Sequence, residues 1–136
     1  MPFVSAPVQV KPGPAPAGSP VLDAVALAAL AQLDPGGANH LVSRILSTYR
    51  ASLERLMQQL AEARSRDDLA AVRMVTHTLK SSSASIGALA LSALCAAAEQ
   101  AAREPRDDAL EPLLDSLQAE AARVDTTVRD LLSTYP

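Results

Sequence analysis

The chain is 136 residues long, enough for one domain and little more. With 49% hydrophobic and 20% charged residues it can bury a core in water, but with 2% aromatics and no Trp that core has to come from Leu, Val, Ile and Ala, which favours helices. A net charge of −3 and the shortage of aromatics exclude a nucleic-acid surface, and a single cysteine, Cys95, excludes an internal disulfide and fits a reducing compartment.

Residues 1–20 hold six of the ten prolines and two of the five glycines. No apolar period survives that density of breakers, so the segment reads as a disordered, Pro-rich tail or linker, of the kind that tethers a module to a neighbouring domain. It lacks the basic and apolar regions of a secretion signal. The domain itself is expected over 21–136, beginning with a short helix over Val21–Leu33. Apolar nearly all round, that helix should pack across the end of something larger. It carries Asp23 and Gln32 and falls short of the ~20 residues that span a bilayer. No membrane contact is expected, and the reading is of a cytoplasmic protein or a cytoplasmic piece of a larger one.

Asp34-Pro35-Gly36-Gly37 then breaks the chain. From about Asn39, taken as N-cap, to Arg64 the residues Leu41, Ile45, Tyr49, Leu53, Leu56 and Leu60 recur at helical steps. Ser65–Asp68 is the next break, with Asp67 as the expected cap of a third segment whose inner face is Leu69, Val72, Thr76, Leu79, Ser83 and Ile86. Gly87 interrupts, and Ala88–Arg103 resumes with Leu91, Leu94, Cys95, Ala98 and Ala102. After a turn over Glu104–Asp108 the last helix runs from about Ala109 to Ser133 on a stripe of Leu110, Leu113, Leu114, Leu117, Ala121, Val124, Val128 and Leu131, with Pro112 in its first turn, where an N–H has no intrahelical partner. The expected fold is all-α: an up-down-up-down four-helix bundle, its neighbours antiparallel because the loops are short, with one short additional N-terminal helix.

One histidine stands out. On a wheel of 100° per residue His77 lies roughly 130° from the centre of the third segment's apolar sector, facing solvent. Arg73, Lys80, Ser81 and Ala84 occupy the helix-surface positions around it, with Ala70 and Met74 beside them, and no carboxylate falls on that face of the helix. A neutral imidazole is a nucleophile at neutral pH, and a phosphoryl group on it would bring negative charge that Lys80, with Arg73 assisting, can balance. Small side chains at 81 and 84 leave clearance for a second protein. His40 reads as solvated surface, Cys95 as a small core residue, and Ser82 and Ser83 as hydrogen-bonding packers. Two histidines and a cysteine on separate helices have no metal-ligand spacing, and no phosphate loop or acid–base pair is present.

The run His77-Thr78-Leu79-Lys80-Ser81-Ser82-Ser83 followed by Gly87-Ala88 resembles the signature of histidine-containing phosphotransfer (HPt) domains, H-x-L-K-G-S-S-x-x-x-G-A. Leu91, Leu94, Cys95, Glu99, Ala102 and Arg103 match the L-x-x-L-C-x-x-x-E-x-x-A-R run that follows it, so with the bundle pattern the likeness covers about 38–133. The resemblance implies a monomeric bundle in which His77 takes a phosphoryl group from a receiver-domain aspartyl-phosphate and passes it to another receiver, Lys80 is the charge partner and Gly87 serves the helix turn. It implies no kinase activity and no bound cofactor, with Mg2+ belonging to the receiver, and partners that are response-regulator receiver domains and a hybrid sensor histidine kinase. Ser81 departs from the family's frequent glycine. A competing reading keeps the bundle as a non-catalytic adaptor that binds a signalling partner without transfer. A sensor-kinase dimerisation pair fits worse, since Thr78 rather than an acidic residue follows His77 and no proline occurs between Pro35 and Pro105.

Overall fold

The computed structural model describes residues 21–104 and 108–134; the tail over 1–20 and the Pro105 turn lie outside the described residues. Five helices follow one another: α1 (Ala24–Gln32), α2 (Leu41–Ser65), α3 (Leu69–Ser85), α4 (Leu89–Ala102) and α5 (Leu110–Leu132), with a single 3-10 turn over Pro35–Gly37 between the first two. Each of α2 to α5 packs on its chain neighbours, and α5 returns to close the ring against α2. The all-α bundle with its short leading helix is therefore the observed fold.

The apolar stripes meet in one core that includes Leu46, Leu53, Leu60, Val72, Leu79, Ile86, Leu91, Leu94, Leu114, Leu117, Val124 and Val128. Alanines 98, 101 and 102, all buried, give α4 a slim inner face. Most polar groups that enter the core are paired. The Thr76 hydroxyl donates to the Val72 carbonyl at 2.9 Å, and Tyr49 Oη and Ser83 Oγ bond each other at 2.8 Å across α2 and α3. Burial pushes the Tyr49 phenol up to about 12, so it stays neutral in that bond. Arg64 fastens α2 to α5 through Gln118, Glu111 and Asp115.

Two expected caps move by one residue. The residue before α2 is His40, with left-handed backbone (φ 54°), rather than Asn39. Its side chain makes no capping bond. Instead Asp34, 7% exposed, reaches over the 3-10 turn and accepts from the backbone N–H of Asn39 (3.1 Å) and of Leu41 (3.1 Å). An orphan amide of α2 is thus satisfied from outside the helix's own sequence. For α3 the cap is Asp68, whose carboxylate accepts from Ala71 N–H at 3.1 Å. Asp67 takes a left-handed conformation (φ 51°) that ends α2, a role short acidic side chains tolerate.

Gly87 ties the short helix to the bundle. It closes α3 with two backbone bonds, Gly87 N–H to Ala84 O (3.1 Å) and Ala88 N–H to Ser83 O (2.8 Å), which require its φ of 85°. Its own carbonyl accepts from Asp23 N–H at 2.8 Å, where α1 begins. A Cβ on residue 87 would lie 2.9 Å from Ala26 Cβ and 2.9 Å from the Asp23 nitrogen. Gly87→Ala is therefore expected to cost about 2 kcal/mol of unfolding free energy in urea titrations, from the left-handed φ and the displaced α1. An unchanged midpoint would contradict this account of the turn.

One buried charge stays poorly served. Glu120 on α5 is 1% exposed; its Oε1 takes Arg123 at 3.3 Å, and its Oε2 has no hydrogen-bond partner. Burial pushes its carboxyl above the usual range, against the pull of Arg123. With a raised pKa in the folded state, the cost is absent below the unfolded carboxyl's pKa and grows as pH rises through the folded one. Glu120→Met is thus expected to gain about 1–2 kcal/mol at pH 7, with a smaller gain near about pH 4. Urea unfolding at both pH values checks it; a Met variant less stable at pH 7 would contradict it.

Candidate functional site

The Asp68 cap and the buried stripe of Val72, Val75, Thr76 and Leu79 fix the roll of α3, and that roll turns His77 outward. The His77 side chain keeps 66% of its surface exposed. Across from it α4 presents Glu99, whose side chain is only 8% exposed. Its Oε2 lies 3.1 Å from His77 Nδ1 and 3.2 Å from Arg103 Nη2, and its Oε1 lies 3.0 Å from Lys80 Nζ. Ser92 Oγ donates to the Lys80 carbonyl at 2.9 Å, holding α4 against this stretch of α3.

These contacts determine the protonation pattern. The Lys80 hydrogen bond holds the Glu99 carboxyl below the usual carboxylate range; burial opposes it, and the His77 bond adds to it. An ionised carboxylate only accepts, so in the neutral ring Nδ1 is the nitrogen that carries the proton. The lone pair then sits on Nε2, on the far edge of the ring and open to solvent. One carboxylate and two cations leave a single positive charge beside that nucleophile, ready to meet an anionic group.

The ring stands out into solvent, its side chain 66% exposed. The grooves between α2 and α5 and between α2 and α3 do not include His77 in their linings. Small-molecule sites are concave; a ring this exposed is open to approach by a macromolecule. Among the described residues no three His, Cys, Asp or Glu side chains gather as a metal-holding set.

The residues singled out in the sequence fall around His77 as the wheel places them. Ala70, Met74, Ser81 and Ala84 are exposed, Met74 at 69%. Arg73 is half-buried and has no recorded bond to His77 or Glu99, so the assisting cation in the structure is Arg103 instead. Lys80 is in place but shared with Glu99. Cys95 is fully buried, and burial pushes its thiol up to about 12, which leaves no reactive thiolate.

What the sequence reading missed is the role of Glu99. The absence of a carboxylate on the His77 face holds for α3 alone, and the group arrives from α4, 22 residues on. A signal was present: Glu99 sits among Leu94, Cys95, Ala98 and Ala102 on a buried stripe, and a carboxylate there needs a cationic or donor partner.

Comparison with known proteins bears on what this arrangement is for. The Hpt domain family matches residues 44–127, the stretch that holds His77, Lys80, Glu99 and Arg103. The chain belongs to the Hpt domain family. Hpt domains are phosphotransfer modules of phosphorelays, acting with receiver domains, and are not kinases. The Hpt fold is seen again in the crystal structure of histidine-containing phosphotransfer protein B from Pseudomonas aeruginosa PAO1, which is similar over 88% of this chain and 100% of its own, with a TM-score of 0.77 and 24% identity. At that identity the likeness speaks for the fold alone. No curated protein sequence matches the chain. No helix among the described residues of this Hpt domain is long and apolar enough to cross a membrane.

Proposed function

We propose that His77 is the phosphoryl acceptor and donor of this Hpt domain. Its Nε2 attacks the phosphorus of an aspartyl-phosphate on one receiver domain; the N–P bond forms as the O–P bond breaks, and the freed aspartate leaves as carboxylate. The ring, already protonated at Nδ1, becomes cationic and is balanced by Glu99. The reverse step, with an aspartate of another receiver as nucleophile, returns the electron pair to Nε2. Lys80 and Arg103 offset the charge of the phosphoryl group, and Mg2+ belongs to the receiver.

The observation that carries the reading is the Glu99–His77 Nδ1 bond at 3.1 Å on an exposed ring, which leaves Nε2 as the free nitrogen. Around it Ala70, Arg73, Met74, Ser81 and Ala84 form the docking surface for receiver domains, including that of a hybrid sensor histidine kinase. The small side chains at 70, 81 and 84, with Met74 beside them, suit a small, transient interface made by a monomer. Incubation with a phosphorylated receiver is expected to label the chain with an acid-labile, alkali-stable phosphoryl group on the peptide that contains His77. A label that maps to any other peptide would refute the assignment.

A further inference from the structure

The hydroxyls of α3 are mostly committed. Thr76 donates to the Val72 carbonyl, Ser82 to that of Thr78 at 3.3 Å, and Ser85 to that of Ser81 at 3.1 Å, while Ser83 pairs with Tyr49. Of the hydroxyls on α3, those of Thr78 and Ser81 alone are left without a hydrogen bond to the described residues. Thr78 stands about 100° round the helix from His77, but Ser81 is one turn on and about 40° round, alongside it.

The flank on which Ser81 stands matters. Glu99 holds Nδ1 from the α4 side, and Lys80 leans to that same side, its side chain on Glu99 and its carbonyl on Ser92. Nε2 is on the opposite edge of the ring, so it faces away from α4. On the wheel Lys80 and Ser81 fall on opposite sides of His77, which places Ser81 on the Nε2 side. Side chains of an α-helix all lean toward its N-terminus, so His77 and Ser81 lean together and remain neighbours one turn apart on the same face.

We propose that Ser81 holds the phosphoryl group on His77: its hydroxyl donates a hydrogen bond to a phosphoryl oxygen on Nε2 and lengthens the life of the phosphohistidine. The inference rests on His77 being the acceptor. When water takes the group, an O–P bond forms, the N–P bond breaks with its electron pair returning to Nε2, and dihydrogen phosphate leaves. The transition state is loose, and the phosphoryl oxygens carry less charge in it than in the bound dianion. A donor to those oxygens therefore stabilises the phosphohistidine more than the transition state and slows its loss. The same bond resists every receiver equally unless the receiver supplies donors that replace it, so Ser81 also favours receivers that do.

The experiment charges the whole chain with phosphoramidate, a small phosphoryl donor that needs no receiver, and follows the label on His77 over time. Wild type and Ser81→Thr should hold it alike, whereas Ser81→Ala and Ser81→Gly should lose it about three- to tenfold faster. Glycine also weakens the helix, so the alanine variant decides. If the alanine variant keeps the wild-type lifetime, or if lifetimes rise steadily with side-chain size from glycine to threonine, the hydrogen bond is overturned while His77 remains the acceptor. If wild type takes no label on His77, the acceptor assignment falls, and this proposal with it.

Discussion

His77→Gln is expected to remove phosphoryl acceptance from receivers and phosphoryl return to them altogether, while the bundle stays folded. Glutamine approximates the reach and polarity of histidine but has no nucleophilic nitrogen, so the loss is of chemistry and not of shape. The side chain it replaces is 66% exposed and contributes one bond, to a carboxylate that Lys80 and Arg103 continue to satisfy. The cost in unfolding free energy should accordingly stay within about 0.5 kcal/mol, as for other surface positions. The pair of measurements separates the two functions the sequence allows. A phosphotransfer domain loses all label with an unchanged melting curve and still docks its receivers. An adaptor binds its partner just as well with His77 as without it and takes no label in either form. Label on the Gln variant equal to wild type would remove His77 from the mechanism.

The fold was legible because its helices obey one rule over long stretches. Tyr49, Leu53, Leu56 and Leu60, or Leu110, Leu114, Leu117, Val124 and Val128, can only be buried together if the chain is helical, although at the start of α2 it is Val42 and Leu46, one step on from the expected Leu41 and Ile45, that are buried. The roll of α3 follows from the same rule, and so does the exposure of His77, which needed no knowledge of the neighbours. The caps were less legible because a cap is chosen by geometry that two adjacent candidates share. Asn39 and Asp67 each have the right chemistry, but Asp34 comes from across the turn and Asp68 from the next residue to reach the open amides.

The partners of His77 were the least legible part. They depend on how α4 is rotated and how far it slides along α3, and helical periodicity on either helix alone carries neither quantity. Arg73 shows the limit from the other direction. It shares the histidine's face on the wheel but makes no bond to the site, because a long side chain's destination is set by where the nearest carboxylate lies. The carboxylate of this site is Glu99, and its ion pairs are with Arg103 and Lys80.

Glu99→Gln should then slow phosphoryl acceptance by roughly 10- to 150-fold, the equivalent of a charge-assisted hydrogen bond of about 1.5–3 kcal/mol. Two effects act in the same direction. The amide carries no charge to balance the cationic ring that forms when Nε2 attacks, and its NH2 can turn toward Nδ1, which drives the proton to Nε2 and occupies the nucleophile. Lys80 and Arg103 lose their partner, but their side chains are 36% and 59% exposed and reach water, so the fold should survive. The pH dependence gives an independent check. Because Lys80 holds the Glu99 carboxyl below the usual range, its ion pairs contribute stability above the unfolded carboxyl's pKa, and that contribution is lost only as pH falls through the lower folded value. The Gln variant should therefore lose less stability than wild type on acidification through and below the ordinary carboxylate range. Nitrogen NMR of the imidazole should report the proton on Nδ1 in wild type and a shift toward Nε2 in the variant. Acceptance at the wild-type rate with the proton still on Nδ1 would mean that the ring is oriented by packing, with Glu99 serving only to anchor Lys80 and Arg103.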